Sequence, residues 1–379
     1  MKILLVIGTR PEAVKMAPLI LALRRRAIFQ VEVCVTAQHR ELLDQVLALF
    51  QIVPEYDLNL MAPGQTIHEV TSRVLLGMRA VLEQAQPGLV LVHGDTTTSF
   101  AAALAAFYAR IPVAHVEAGL RTLQRYQPFP EEMNRRMTDA LCTWHYAPTA
   151  QARENLLREG VAPDHIAVTG NTVIDALLLA RAMPHTFQDP LLAQAGNQRR
   201  LLLVTAHRRE SFGEPLRQIC SAIRTLVNHN AGVEVVYPVH PNPRVLSTVQ
   251  EELGGVERVH LVAPLDYLPF VHLLARAHIV LTDSGGLQEE APALGKPVVV
   301  MREVTERPEA IEAGTARLAG MTHDGIVAAV QELLTHSSAY NTMASRSNPY
   351  GSGDAAERIA DHLETLRGKR GPACNTSAS

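Results

Sequence analysis

Cysteine is scarce in this chain. Cys34, Cys142, Cys220 and Cys374 are scattered through 379 residues with no Cys-x-x-Cys pair and no metal-ligand spacing. That pattern excludes a disulfide framework and a zinc ribbon, and it predicts reduced thiols and no bound metal. A charge excess is missing as well: 35 Lys and Arg stand against 38 Asp and Glu, a net charge of -3. Without a broad cationic field, neither nucleic acid nor an anionic membrane is an expected partner. No apolar run is long enough to span a bilayer, and Ile3 to Ile7 is too short for a signal-peptide core. A cytoplasmic location is the expectation. No Gly-Lys-Ser/Thr P-loop occurs, because Gly295-Lys296 is followed by Pro297. Gly351-Ser352-Gly353-Asp354-Ala355-Ala356 fits a dinucleotide pattern but has no strand in front of it, so it reads as a decoy.

What is present is a soluble globular composition, 47% hydrophobic and 19% charged, in a chain long enough for about two domains. Short apolar runs alternate with helical periodicity throughout, which predicts two doubly wound α/β domains. In the first half, strands are expected at Lys2 to Ile7, Val31 to Thr36, Leu89 to Val92, Ile111 to Val116 and His165 to Thr169. Residues 53–64 read as irregular. The second half predicts strands at Leu201 to Thr205, Val233 to Tyr237, Val259 to Val262, Ile279 to Thr282 and Pro297 to Met301. Met183 to Arg199 reads as a surface connection and Met343 to Tyr350 as a loop, with an amphipathic helix from Asp354 to Leu366. The expected boundaries are residues 1–170, 171–353, a final helix at 354–367 and a disordered tail at 368–379.

The chemistry concentrates at strand ends. In Thr282-Asp283-Ser284-Gly285-Gly286-Leu287-Gln288-Glu289-Glu290 a strand runs through a glycine pair into a helix. Such a junction gathers unpaired N–H groups and a positive dipole end, which suits a phosphate, with Glu290 one turn in to accept from ribose hydroxyls. The plainer alternative is Ser284 as an N-cap and the glutamates as first-turn acids. A second strand-to-helix anion site is expected at Gly8 to Pro11, with Arg10 at its mouth. Asp95 and Glu117 follow two consecutive strands, although Asp95 also reads as a plain N-cap. Glu131 and Glu132 begin a helix after a loop rich in proline and aromatics. His207, Arg208 and Arg209 follow the strand ending at Thr205, with Glu210 placed to neutralise one arginine, and His240 is similarly placed. Acidic groups on one sheet edge and a basic, anion-ready edge on another suit a diphosphate leaving group and a carbon acid.

The set Gly8-Thr9-Arg10-Pro11-Glu12-Ala13, Val92-His93-Gly94-Asp95-Thr96-Thr97-Thr98, His115-Val116-Glu117-Ala118-Gly119-Leu120-Arg121, Thr205 to Ser211 and Thr282 to Glu290 resembles the bacterial non-hydrolysing UDP-N-acetylglucosamine 2-epimerases. The likeness extends to about Arg367. It implies a GT-B fold, two Rossmann-like domains around a cleft with the last helix crossing back to the first. It implies interconversion of UDP-N-acetylglucosamine and UDP-N-acetylmannosamine for bacterial surface polysaccharide, by elimination of UDP to 2-acetamidoglucal and re-addition, with no cofactor. By the same resemblance Asp95, Glu117 and Glu131 are the catalytic carboxylates and His207 lies near the diphosphate. Arg10, Ser284, Gly285 and Gly286 would hold phosphate, Glu290 ribose, Phe270 uracil and Arg307 the nucleotide, while Lys15 matches a motif lysine of unassigned role. Gln38, Arg73, Arg208 and His240 match positions of a neighbouring activating site, and a homodimer is expected. Rival readings are a UDP-sugar glycosyltransferase of the same fold, a hydrolysing epimerase and a sugar-nucleotide sensor.

Overall fold

A computed structural model describes residues 1–36, 40–60, 62 and 64–369. It divides into two compact units, Met1–Ala176 with the chain from Tyr350 onward, and Leu177–Pro349.

The first unit is built on seven parallel strands: β1 (Lys2–Ile7), β2 (Gln30–Val35), β3 (Tyr56–Asp57), β4 (Leu89–His93), β5 (Val113–Val116), β6 (Trp144–Ala147) and β7 (Ile166–Val168). Their order is β3-β2-β1-β4-β5-β6-β7. Near-continuous apolar strands such as Leu4, Val6, Val90 and Val92 are what a sheet covered on both faces demands, and all four are buried. The strand order reverses between β1 and β4. Loops leaving the carboxyl ends of those two strands diverge, which opens the crevice where such sheets bind ligands.

The second unit repeats the plan with β8 (Arg200–Thr205), β9 (Val233–Pro238), β10 (Val259–Val262), β11 (Ile279–Thr282), β12 (Val298–Val300) and β13 (Ala316–Leu318), in the order β10-β9-β8-β11-β12-β13. Here the reversal lies between β8 and β11. The amphipathic helix Glu214–His229 packs Leu216, Ile219, Ile223 and Leu226 onto this sheet, a 3.6-residue stripe.

Several expected loops are structured. Residues 53–64 contain β3, which pairs Cys34 with Tyr56. Asp189 caps a short helix, Pro190–Gln194, through a bond from the Leu191 N–H, inside the expected surface connection. A helix, Ser337–Ala344, enters the expected loop. β6 and β13 are also strands that periodicity does not reveal. The final helix, Ala355–Lys369, runs past Leu366. Residues 370–379, most of the expected disordered tail, lie outside the described residues. No strand precedes Gly351, so the phosphate-binding turn that its pattern would require is absent there. Among the described residues no helix is long and apolar enough to cross a membrane.

Candidate active site

In the first unit the site is assembled around the turn that leaves β4. Gly94 has a φ of +65°, and a Cβ there would lie 3.3 Å from Glu117 Oε2, so glycine lets the two loops approach. The three consecutive carbonyls of this turn are each held by a side chain from a different place. Ser99 Oγ donates to His93 O at 2.5 Å, His115 Nε2 contacts Gly94 O at 2.7 Å and Asn134 Nδ2 donates to Asp95 O at 3.0 Å. The backbone beneath Asp95 is therefore fixed before any ligand arrives. The N-cap of the following helix is Thr96, which accepts from Ser99 N at 3.1 Å. Asp95 is not that cap, because Thr96 occupies the one position from which a side chain reaches the N3 amide. Its Oδ2 instead lies 3.0 Å from Arg135 Nη2.

Glu117, one residue beyond β5, adopts a φ of +65°, a strained backbone for a side chain of its size. Its Oε1 receives Lys15 Nζ and, at 2.8 Å, Asn171 Nδ2. Its Oε2 lies 3.6 Å from Nε2 of His93, a buried ring. Burial pushes the His93 pKa down to about 3, against the attraction of Glu117 and with the repulsion of Lys15, so the ring is neutral. An ammonium ion and an amide fix one oxygen of Glu117 and leave the other facing the turn with a neutral ring beside it.

Glu12 ties this turn to β1. It is buried, accepting from Gly8 N at 3.1 Å and from Thr96 Oγ1 at 2.9 Å, with Ser99 Oγ also 2.9 Å away. Burial raises its pKa against these hydrogen bonds. Gly8 is required where it stands, since a Cβ would meet Thr98 Oγ1 at 2.3 Å. Arg10 begins the helix Arg10–Arg24, half-buried behind the Thr9 N-cap. Glu131 begins the helix Glu131–Leu141, whose Asn134 and Arg135 dock on Asp95. Glu132 turns inward from the same first turn and accepts from the N–H groups of Thr122 and Leu123 at 3.0 and 3.2 Å. Behind His115, Asp139 meets the imidazole Nδ1 at 2.6 Å and accepts from Arg121 Nη2 at 2.7 Å. Burial pushes the Asp139 carboxyl up, but His115 and Arg121 prevail and hold it at about 2.

The second unit carries most of the residues expected to hold the nucleotide. Ser284 is the N-cap residue of the helix Gly285–Ala293, yet its side chain makes no capping bond. A Cβ on Gly285 would lie 3.9 Å from both Arg208 Nη2 and Arg307 Cζ, so two guanidinium groups flank the helix N-terminus. Glu290 Oε1 would lie 3.5 Å from a Cβ on Gly286, so this carboxylate reaches back toward the same end. Arg307 is paired with buried Glu289. Asp283 ties the loop after β8 to β11 through bonds from the N–H groups of His207 and Arg208, both 2.7 Å. Glu210 accepts from Arg302 Nε at 2.5 Å, Arg302 following strand β12 two places along the sheet from β8. Phe270 is half-buried on the helix Tyr267–Arg276.

The residues expected for activation come from both units. Arg208 and His240 belong to the second unit, where the His207 and His240 rings stack at 5.5 Å. Arg73 is exposed in the first unit, its Nη1 3.4 Å from Leu60 O, and Gln38 lies outside the described residues. Sequence reasoning assigned no role to His93, Asn171, Asn134, Arg135 or Asp283. The signal was there for His93 and Asp283, which stand at strand ends inside the motifs, but not for Asn171, which lies 54 residues from Glu117. Among the described residues no cluster of three or more His, Cys, Asp or Glu could hold a metal ion.

The family described as UDP-N-acetylglucosamine 2-epimerase matches residues 21–364. The UDP-N-acetylglucosamine 2-epimerase of Salmonella typhimurium is 55% identical over 374 residues, covering 97% of this chain and 99% of its own. A solved structure from Listeria monocytogenes superposes with a TM-score of 0.92 at 47% identity, covering 98% of this chain and 97% of its own. The UDP-N-acetylglucosamine 2-epimerase of Neisseria meningitidis, solved bound to UDP-N-acetylglucosamine, gives 0.88 at 48% identity, covering 96% and 100%. The two parallel sheets of this chain have the two-domain, Rossmann-like GT-B architecture of these structures. With the matched region running from the first helix to the last, the chain belongs to the UDP-N-acetylglucosamine 2-epimerase family.

Proposed function

We propose that the first unit carries out the proton transfers and the second unit holds the nucleotide. The reaction is the reversible conversion of UDP-N-acetylglucosamine to UDP-N-acetylmannosamine. A hydrogen on C2 is a poor acid, so its removal needs a positioned base and a leaving group whose charge is stabilised as the C1–O bond breaks. UDP leaves to give 2-acetamidoglucal, a proton returns to the opposite face of C2, and UDP adds back. Inversion requires proton transfer on both faces, which calls for more than one of Asp95, Glu117 and Glu131. The observation that carries this reading is Glu117, held on a strained backbone with one oxygen anchored by Lys15 and Asn171. Phosphate falls to Ser284, Gly285, Gly286 and Arg10, the ribose to Glu290, uracil to Phe270, and further nucleotide contacts to Arg307.

Proton NMR of the protein with UDP-N-acetylglucosamine in D2O tests it. The expected outcome is both UDP-sugars with deuterium at C2. Free N-acetylmannosamine accumulating with UDP would replace this reading with hydrolysis.

Three further assignments belong to the same reading. The protein acts in the cytoplasm and supplies surface-polysaccharide synthesis. It is activated by its own substrate through Gln38, Arg73, Arg208 and His240; equal turnover of UDP-N-acetylmannosamine with and without trace UDP-N-acetylglucosamine would refute this. It is a homodimer, and the support is an apolar face on the first unit where Leu76, Phe107 and Tyr108 are exposed around a groove lined by Leu75, Leu82 and Ile111. Light scattering of Leu76→Glu should give a smaller species than the wild type; an unchanged mass would remove that face from consideration.

A further inference from the structure

Asp283 is fully buried at the end of β11, and its two oxygens are used very differently. Oδ2 is saturated, taking His207 N and Arg208 N at 2.7 Å and Ser211 Oγ at 3.1 Å. Oδ1 is buried and has no hydrogen-bond partner. His207 Nδ1 lies 3.6 Å from it, about half an ångström beyond hydrogen-bonding reach. Oδ2 alone fixes the loop, so the fold has no use for Oδ1, and leaving a buried acceptor unmade is costly.

We propose that Asp283 is a positioning residue for His207: when a nucleoside diphosphate binds beside the ring, Oδ1 takes the Nδ1–H and His207 enters the complex as an imidazolium with Nε2 donating to phosphate. This inference rests on the nucleotide reading of the second unit given above. The groups facing His207 are Asp283 from β11, His240 from the loop after β9, stacked at an interplanar angle of 11°, and Arg208 from its own loop. Without ligand, burial lowers the His207 pKa, Asp283 opposes this, and His240 and Arg208 add to it, so the sum is a depressed pKa. A diphosphate adds negative charge on the Nε2 side and reverses the balance. One proton is taken from solvent on binding and returned on release, with no other group changed. Affinity for the diphosphate then rises as pH falls through the free ring's pKa.

Calorimetry of UDP binding to the full chain near pH 7, in buffers of differing ionisation enthalpy, measures this directly. Wild type is expected to take up a substantial fraction of a proton, and His207→Gln none. Asp283→Asn keeps an oxygen for the three loop donors but presents an N–H to Nδ1, which favours a neutral ring. It should lose the uptake and bind UDP roughly 10–100-fold more weakly, with a flat pH dependence. Should Asp283→Asn fail to fold, nitrogen NMR of the wild-type histidines, assigned by the missing His207→Gln signal, should show both ring nitrogens protonated in the UDP complex. UDP binding without proton uptake, uptake retained in Asp283→Asn, or a neutral His207 in the complex would each overturn the role of Asp283 while leaving the nucleotide site standing. Failure of the wild type to bind UDP would overturn both.

Discussion

His93 and Glu117 stand 3.6 Å apart at the ends of adjacent strands, and burial decides which of them carries charge. The imidazole has a pKa of about 3 in the fold and 6.5 as a reference, and Lys15 holds the carboxylate beside it. The unfolded chain therefore binds a proton at His93 below pH 6.5 while the folded chain does not. Stability contributed by this site is complete above pH 6.5 and is lost as pH falls toward 3, at about 1 kcal/mol per pH unit. Urea unfolding of His93→Gln followed between about pH 6.5 and pH 4 should show a shallower acid slope than wild type by roughly that amount. The chain's single tryptophan, Trp144 on β6, reports the first unit. Parallel slopes for the two proteins would mean that His93 is not neutral in the fold.

At the scale of elements, the final helix shows how a motif-poor segment finds its place. Its amphipathic stripe, Ile359, Ala360 and Leu363, is legible, and all three residues are buried. Its anchor is not legible, because Asp175 accepts from Ala356 N at 2.8 Å and Ala355 N at 3.3 Å across some 180 residues of chain. On the outer face Arg26 fans to Glu357, Asp361 and Glu364, one helical row, but those carboxylates are about half exposed or more. The buried cap should dominate the exposed ion pairs. Asp175→Ala is expected to cost about 1–2 kcal/mol, as other N-cap losses do. Arg26→Ala should cost under about 1 kcal/mol. Trp144, whose ring lies 5.6 Å from that of His362 on this helix, serves as the probe. If Arg26→Ala proved the more damaging, the helix would be held chiefly by its charges.

Across the whole molecule, the apolar strands and their alternation with helices were readable because parallel sheets bury both faces. Trp144-His145-Tyr146-Ala147 and Ala316-Arg317-Leu318 were not, since segments this short, each interrupted by a polar residue, become strands only through the neighbours they pair with. The motif glycines and carboxylates marked the switch points, while Asn171, Asn134 and Arg135 needed three dimensions. What emerges is a division of labour: the groups assigned to proton transfer lie in the first unit, and nearly all of the groups assigned to nucleotide in the second. Substitutions should therefore separate chemistry from binding. Lys15→Met removes the cation on Glu117 Oε1 in the first unit, and should lower kcat about 10²–10⁴-fold while the UDP Kd stays within about 3-fold. Arg307→Ala removes one of the two guanidinium groups beside Gly285 and leaves Glu289 buried without that partner. It should weaken UDP binding roughly 10–100-fold and leave kcat at saturating substrate within about 10-fold. The double variant should show the sum of the two free-energy losses, because Lys15 bonds Glu117 in the first unit and Arg307 bonds Glu289 in the second. Strong non-additivity in kcat/KM, measured with the UDP Kd on the same preparations, would instead place Lys15 in the nucleotide site and undo the division.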